Sequence, residues 1–386
     1  MSERSFFSIS YDLIIWGRRL PYDLYVNSSS LENKQKFVRL FKRDNVLSVD
    51  ELHDFKKKYH QLYCAEDQRT LYMKSLIQSD NVSDIEATNF IKDSAIKYLH
   101  QVFDESKEFS TEVLVETIKG CRDAVEGMID VLDDYNIDSL RGLIGSLSTH
   151  DFYTYDHSIN VSMYCIQILR AAKPNATKEE LTHAGLGGLL HDLGKVKIPT
   201  NILNSPGGLN DDEYEIIKTH PQLGLHLLLD NQDEIGDEID VEIIARVIAE
   251  HHENWNGKGY PTGLKENEIH ILSRICTIAD FFDAITTKRS YNEVLTISQA
   301  IDVMERFSGV KLDPKLFALF AKHVTHSKLE TSKMLKLSDA FDPTLPFEKL
   351  PLEELDRIFE KEDFGKIKVL DEKDPKEKKK GKNENK

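Results

Sequence analysis

The sequence predicts a mainly α-helical protein: a helical bundle preceded by a small mixed α/β module and followed by a disordered C-terminal tail. Three observations carry that expectation. From about Ser83 to residue 325, apolar residues recur at three- and four-residue spacing, the period of one buried helix face. Before about residue 76 they come instead in short runs rich in β-branched and aromatic side chains, broken by polar residues. The ending, DEKDPKEKKKGKNENK, is charged and of low complexity, with too little apolar surface to offset the entropy of ordering.

Taken in order, SFFSISYDLII, DLYVNSS, QKFVRLF and QLYCAED read as strands of a first module, residues 1–76. A helix is predicted from Val49 to Lys58, because Ser48 and Glu51 form a capping-box pair. This module holds no catalytic constellation and reads as a sensor, docking, dimerisation or purely structural unit. IEATNFIKDSAIKYLHQVF and STEVLVETIKGCRDAVEGMIDVL predict two long helices in a linking segment, 77–137. They either join the module to the helical core or pair with a second copy in a homodimer. Residues 138–325 predict a succession of amphipathic helices, with starts marked by Thr177 with Glu180 and by Asn210 with Glu213. Pro199, Pro206 and Pro261 fall in the loops between them. In the extension 326–386, LPLEELDRIFEKEDF predicts one more helix ahead of the charged tail.

Composition narrows the function. The chain has 386 residues and a net charge of −16, which excludes a broad electrostatic grip on DNA or on anionic lipid. A small anion is still within reach of a few cations or bound metals. No apolar run reaches the roughly 20 residues of a membrane span. The opening MSERSFFSISYDLIIWGRRL lacks the order of a secretory signal. A cytoplasmic protein without DNA or membrane partners is expected. The four cysteines, Cys64, Cys121, Cys165 and Cys276, are scattered without a CxxC pair and read as buried thiols.

The chemistry is concentrated in histidines and aspartates. His191-Asp192 closes the predicted helix LTHAGLGGLLHD, His251-His252 closes DVEIIARVIAEHH, and His220 ends DDEYEIIKTH. His157 lies in YTYDHSINVSMYCI, and Asp280 in the apolar helix SRICTIADFFDAI. Imidazole and carboxylate together suit Fe, Mn, Zn or Ni, and a carboxylate can bridge two cations. Helical neighbours are turned about 100° apart, but at a helix end the second ring can swing back to the same centre. An aspartate within IADFF needs a cation or a donor nearby. A lone helical histidine is usually a satisfied core or surface residue. It is the joint occurrence that points to metal. His53, His60, His100, His150, His183, His226, His270, His323 and His326 are left to ordinary roles.

These residues resemble those of a known family. His191-Asp192-Leu193-Gly194-Lys195 resembles the HDxGK motif of HD phosphohydrolases. His251-His252-Glu253 with Gly257-Lys258-Gly259-Tyr260-Pro261 resembles the HHExxxGxGYP signature of the HD-GYP subgroup. The likeness runs over about residues 140–325 and leaves both ends unexplained. It implies an all-helical HD core with two or three metals, often iron or manganese, that hydrolyses cyclic di-GMP to linear pGpG and onward to GMP. Carried over by position, one metal takes His157, His191, Asp192 and Asp280; the second takes Asp192, His220, His251 and His252. Tyr153 stands where some members carry a third-metal glutamate, so two divalent metal ions, Fe or Mn, are expected.

The same resemblance makes Asp192 and Lys195 the catalytic pair. The carboxylate bridges the metals, and the ammonium holds phosphate; a lysine favoured by the helix dipole is the plainer reading. A metal pair lowers the pKa of a bridging water and supplies hydroxide for in-line attack. Tyr260 either touches the cyclic dinucleotide or braces its loop, and Arg289 contacts phosphate or guanine. Where the family has RPY followed by a basic residue, this chain has Arg289-Ser290-Tyr291-Asn292 and lacks that last cation. Two other readings stand beside the phosphodiesterase: a binding or signalling module with weak turnover, and the same chemistry on cyclic GMP-AMP. A signalling-protein partner is expected at the GYP loop or the N-terminal module.

Overall fold

The four short runs of the first module pair into one antiparallel sheet. Phe6–Ile9 (β1), Leu24–Asn27 (β2), Phe37–Phe41 (β3) and Leu62–Ala65 (β4) lie in the order β1-β4-β2-β3. The computed structural model describes residues 4–29, 36–77, 82–104, 109–135, 140, 143–144, 153–203, 210–236, 239–287 and 295–324. The helix read in LPLEELDRIFEKEDF, the charged tail, Pro206 and the segment around Arg289 lie outside the described residues.

Val49–Lys58 (α1) begins at Ser48, whose hydroxyl accepts from Glu51 N while the Glu51 carboxylate accepts the Ser48 N–H. Two donors at the helix start are thereby satisfied, which favours this polar helix. Arg69–Ile77 (α2) is fastened to the sheet by Arg69, whose guanidinium lies 3.8 Å from the Phe7 ring centroid and pairs with Glu66 at 2.9 Å.

Asp84–Phe103 (α3) and Thr111–Val131 (α4) pack along each other as a helical pair. Then come Tyr153–Ala172 (α5), Lys178–Leu190 (α6), a 3-10 turn at Leu193–Lys197, Asp211–Ile217 (α7) and His220–Leu229 (α8). Val241–Glu250 (α9), Ile271–Thr286 (α10), Ile297–Glu305 (α11) and Pro314–Val324 (α12) complete the described chain. The capping boxes at Thr177 with Glu180 and Asn210 with Glu213 open α6 and α7.

The middle of the bundle is α6. Leu181 through Leu190 are all buried, and α4, α5, α9 and α10 pack around them. Gly188 makes the closest crossing: a Cβ there would lie 2.9 Å from Cys165 Sγ and 3.1 Å from Ser162 Cα, so α5 and α6 meet almost backbone to backbone. Ser162 Oγ donates to Gly185 O at 2.7 Å across the same contact. The C-terminus of α6 is therefore held against α5, and the site is built there.

Most buried apolar side chains of sheet, helical pair and bundle form one continuous cluster from Phe7 to Val324, and Ile198, Ile202 and Ile217 form a second, smaller one. A buried ion pair crosses from α3 to α5, with Lys92 Nζ 2.9 Å from Asp156 Oδ1 and side chains only 4% and 11% exposed. All four cysteines are free and buried. Among the described residues, no helix is long and apolar enough to cross a membrane.

Candidate metal centre

Five segments converge on one buried point. His157 comes from the first turns of α5, His191 caps α6 with Asp192 after it, and His251 caps α9 with His252 after it. Asp280 lies midway along α10. His220 departs from the sequence expectation: it opens α8 instead of ending α7. The reason is Pro221, which lacks a backbone donor and fits the first turn of a helix but not its interior.

A chain of short contacts unites all seven side chains. His157 Nε2 lies 3.0 Å from Asp280 Oδ1, and His191 Nε2 lies 4.0 Å from the same oxygen. His191 Nε2 is 3.2 Å from Asp192 Oδ2, while His220 Nε2 is 3.3 Å from Asp192 Oδ1. One carboxylate thus divides its two oxygens between two sets of imidazoles. His220 Nε2 is 3.2 Å from His251 Nε2, and the His252 ring lies 4.1 Å from that of His251 between centroids. Donor atoms of His157, His191 and Asp280, of His191, Asp192 and His251, and of His220, His251 and His252 each fall within 4.8 Å of one another. Among the described residues, no other histidine joins such a cluster.

The hydrogen bonds aim the Nε2 atoms inward. His191, His220 and His251 each present Nδ1 to the carbonyl three residues earlier, Gly188, Ile217 and Ile248, at 2.8 Å. A carbonyl only accepts, so the proton is assigned to Nδ1 and the lone pair to Nε2. Burial presses His220 down to about 3 and His251 to about 4, and holds His252 well below the usual imidazole range. These rings stay neutral, as metal ligands must. Burial alone would raise Asp192, but the Lys195 ammonium at 2.6 Å holds it well below the carboxylate range. Asp280 Oδ1 is buried without a hydrogen bond although His157 Nε2 lies close by. Converging lone pairs and an unsatisfied buried oxygen fit divalent cations with nitrogen and oxygen ligands.

The other residues expected at the site differ in how they meet it. Lys195 is half-buried, with its ammonium on Asp192. Tyr260 stacks on His252, centroids 4.7 Å apart and planes 20° apart, and the Lys218 ammonium sits 5.4 Å from the Tyr260 ring centroid. α5 starts at Tyr153, whose side chain, like the whole of Arg289, is not described. Gly194 is required by close approach: a Cβ there would meet His220 O at 1.9 Å and Gly224 N at 2.6 Å. The lack of a side chain lets the 3-10 turn lie on α8 and brings Asp192 to His220.

Two residues of the site lie outside the sequence expectations. Buried Asp283 accepts from His157 Nδ1 at 2.7 Å. Glu253, in the motif but without an assigned task, accepts from Thr262 N at 2.7 Å and Gly263 N at 3.0 Å and ties down the GYP loop. The i, i+3 spacing of Asp280 and Asp283 is the available signal for the first, since it puts both carboxylates on one helix face.

Comparison with known proteins agrees on the class. Residues 145–316 match the family described as HD domain. Over 201 residues, 50% of this chain and 46% of the relative, it is 37% identical to the cyclic di-GMP phosphodiesterase PA4108 of Pseudomonas aeruginosa. Over 172 residues, 45% of each, it is 34% identical to a cyclic di-GMP phosphodiesterase of Thermotoga maritima. Over 196 residues, 51% of this chain and 36% of the relative, it is 31% identical to the 3'3'-cGAMP-specific phosphodiesterase 2 of Vibrio cholerae. The chain spans less than half the length of these curated relatives.

Proposed function

We propose that this chain is a metal-dependent phosphodiesterase that opens a cyclic dinucleotide, cyclic di-GMP to linear pGpG. The observation that carries the reading is Asp192, one oxygen toward His191 and the other toward His220. That division suits a carboxylate shared by two cations, with His157, His191 and Asp280 on one side and His220, His251 and His252 on the other. Iron or manganese fits this set of imidazoles and carboxylates. When bound, such a pair polarises a phosphodiester and lowers the pKa of water.

The chain's own groups supply orientation and charge. Nδ1–H donation to backbone carbonyls keeps three imidazoles in one tautomer, so that their Nε2 atoms always face the centre. Lys195 lies beside the shared carboxylate, where its ammonium would be placed to hold a phosphate oxygen of the substrate. Tyr260 braces His252 by stacking. The names of the curated relatives support a cyclic dinucleotide as the substrate class, and both cyclic di-GMP and 3'3'-cGAMP are represented among them.

The test is incubation of the manganese-loaded chain with each cyclic dinucleotide and separation of the products. Linear dinucleotide from cyclic di-GMP is expected. Turnover confined to cyclic GMP-AMP would move the substrate and keep the chemistry; ligand bound but never cleaved would leave a binding module in its place.

A further inference from the structure

The histidines of the site are not held alike. His191, His220 and His251 lean on neutral backbone carbonyls three residues earlier in the chain. His157 leans on a carboxylate from another helix, Asp283 Oδ2 at 2.7 Å. That carboxylate is itself pinned: its Oδ1 accepts from Asn160 Nδ2 at 3.0 Å and from Thr287 Oγ1 at 2.8 Å. Asp283 is 1% exposed, so little water screens it from the ring it faces.

The two halves of the centre therefore differ in charge. Around His157 and His191 lie Asp280 and the shared Asp192, with Asp283 behind. Around His220, His251 and His252 lie neutral imidazoles, and among the described residues the carboxylate within ion-pair distance of His220 is the shared Asp192. A divalent cation is drawn more strongly to the first set, and an imidazole backed by a carboxylate is also the more basic ligand. Both oxygens of Asp283 accept, so an amide in its place turns a donor against either His157 or Asn160.

We propose that Asp283 is a positioning residue for His157 that makes the two cation positions unequal, the one at His157, His191 and Asp280 being the tighter and first to fill. This rests on the reading of the seven side chains as ligands. The position at His220, His251 and His252 is then the exchangeable one.

The experiment titrates the chelator-stripped full chain with Mn2+ by calorimetry, with bound metal counted independently. The parent is expected to take up two Mn2+ in separable steps. Asp283→Asn is expected to weaken the tighter step roughly 10–100-fold and leave the weaker step alone. The exchange Asp283→Asn with Asn160→Asp restores donor–acceptor matching but moves the charge away from His157. It is expected to stay as weak, and its matched hydrogen bonds let it carry the test where the single variant fails to fold. Two equal steps in the parent, an unchanged tighter step in Asp283→Asn, or full recovery in the exchange would overturn the proposal while leaving the ligand reading intact. A parent that binds no Mn2+ overturns both.

Discussion

The Nε2 atoms of His220 and His251 face each other at 3.2 Å, while the Nδ1–H of each ring is already donated, to Ile217 O and Ile248 O. Two lone pairs aimed at one another repel. The packing of α8 against α9 holds them there, and a divalent cation bound by both would turn the repulsion into ligation.

Substituting Asp192 by asparagine keeps its shape and removes its charge. Loss of bound metal is expected, with activity down more than ~100-fold, because even outer partners of metal ligands cost up to that much. Elemental analysis beside product analysis checks it; a variant with full metal content contradicts the shared-carboxylate reading.

Removing metal should loosen the whole fold, since the proposed ligands come from α5, α8 and α10 and from the C-terminal ends of α6 and α9. At a hundredfold excess over Kd, a cation that binds only the folded chain stabilises it by about 2.7 kcal/mol. Thermal melting with chelator, and again after Mn2+ is restored, should show a fall and a recovery. Identical curves would argue against a cation at the junction of these helices.

Gly194→Ala is expected to be costly because its neighbours are backbone atoms, with His220 O 1.9 Å from the added Cβ. Overpacking costs about 1–3 kcal/mol even where side chains can yield. Urea denaturation measures the loss. Parental stability would mean that the turn and α8 separate freely.

Tyr260→Ala removes the ring stacked on His252, and an aromatic pair is worth about 0.5–1.5 kcal/mol, roughly 2–10-fold in affinity. Mn2+ binding should weaken by that factor in Tyr260→Ala and be unchanged in Tyr260→Phe. Equal affinity in all three proteins would show that the brace does not act on the ligand.

Much of this architecture is legible in the amino-acid sequence. β1 to β4 read as strands because their apolar residues come in short β-branched and aromatic runs, and α1 reads to the residue because Ser48 and Glu51 announce its first turn. His191 and His251 fall at helix ends, as their position after apolar periodic runs implies. His220 does not, because periodicity runs unbroken through DDEYEIIKTH and only Pro221 hints that a new helix starts. Asp283 stays hidden in IADFFDAI for a different reason. Spacing shows that it shares a face with Asp280, but which face meets α5 is decided by long-range packing.

The buried pair of Lys92 and Asp156 bears on where this protein can be cut. Asp156 immediately precedes His157, and its cation comes from α3, well ahead of the residues that match the HD domain family. A fragment beginning at residue 138 would keep every side chain of the centre and yet lose the cation that pairs with the carboxylate beside one of them. Removing one partner of such a pair costs about 3–5 kcal/mol. The helical pair therefore belongs to the protein's foundations as much as to its wiring.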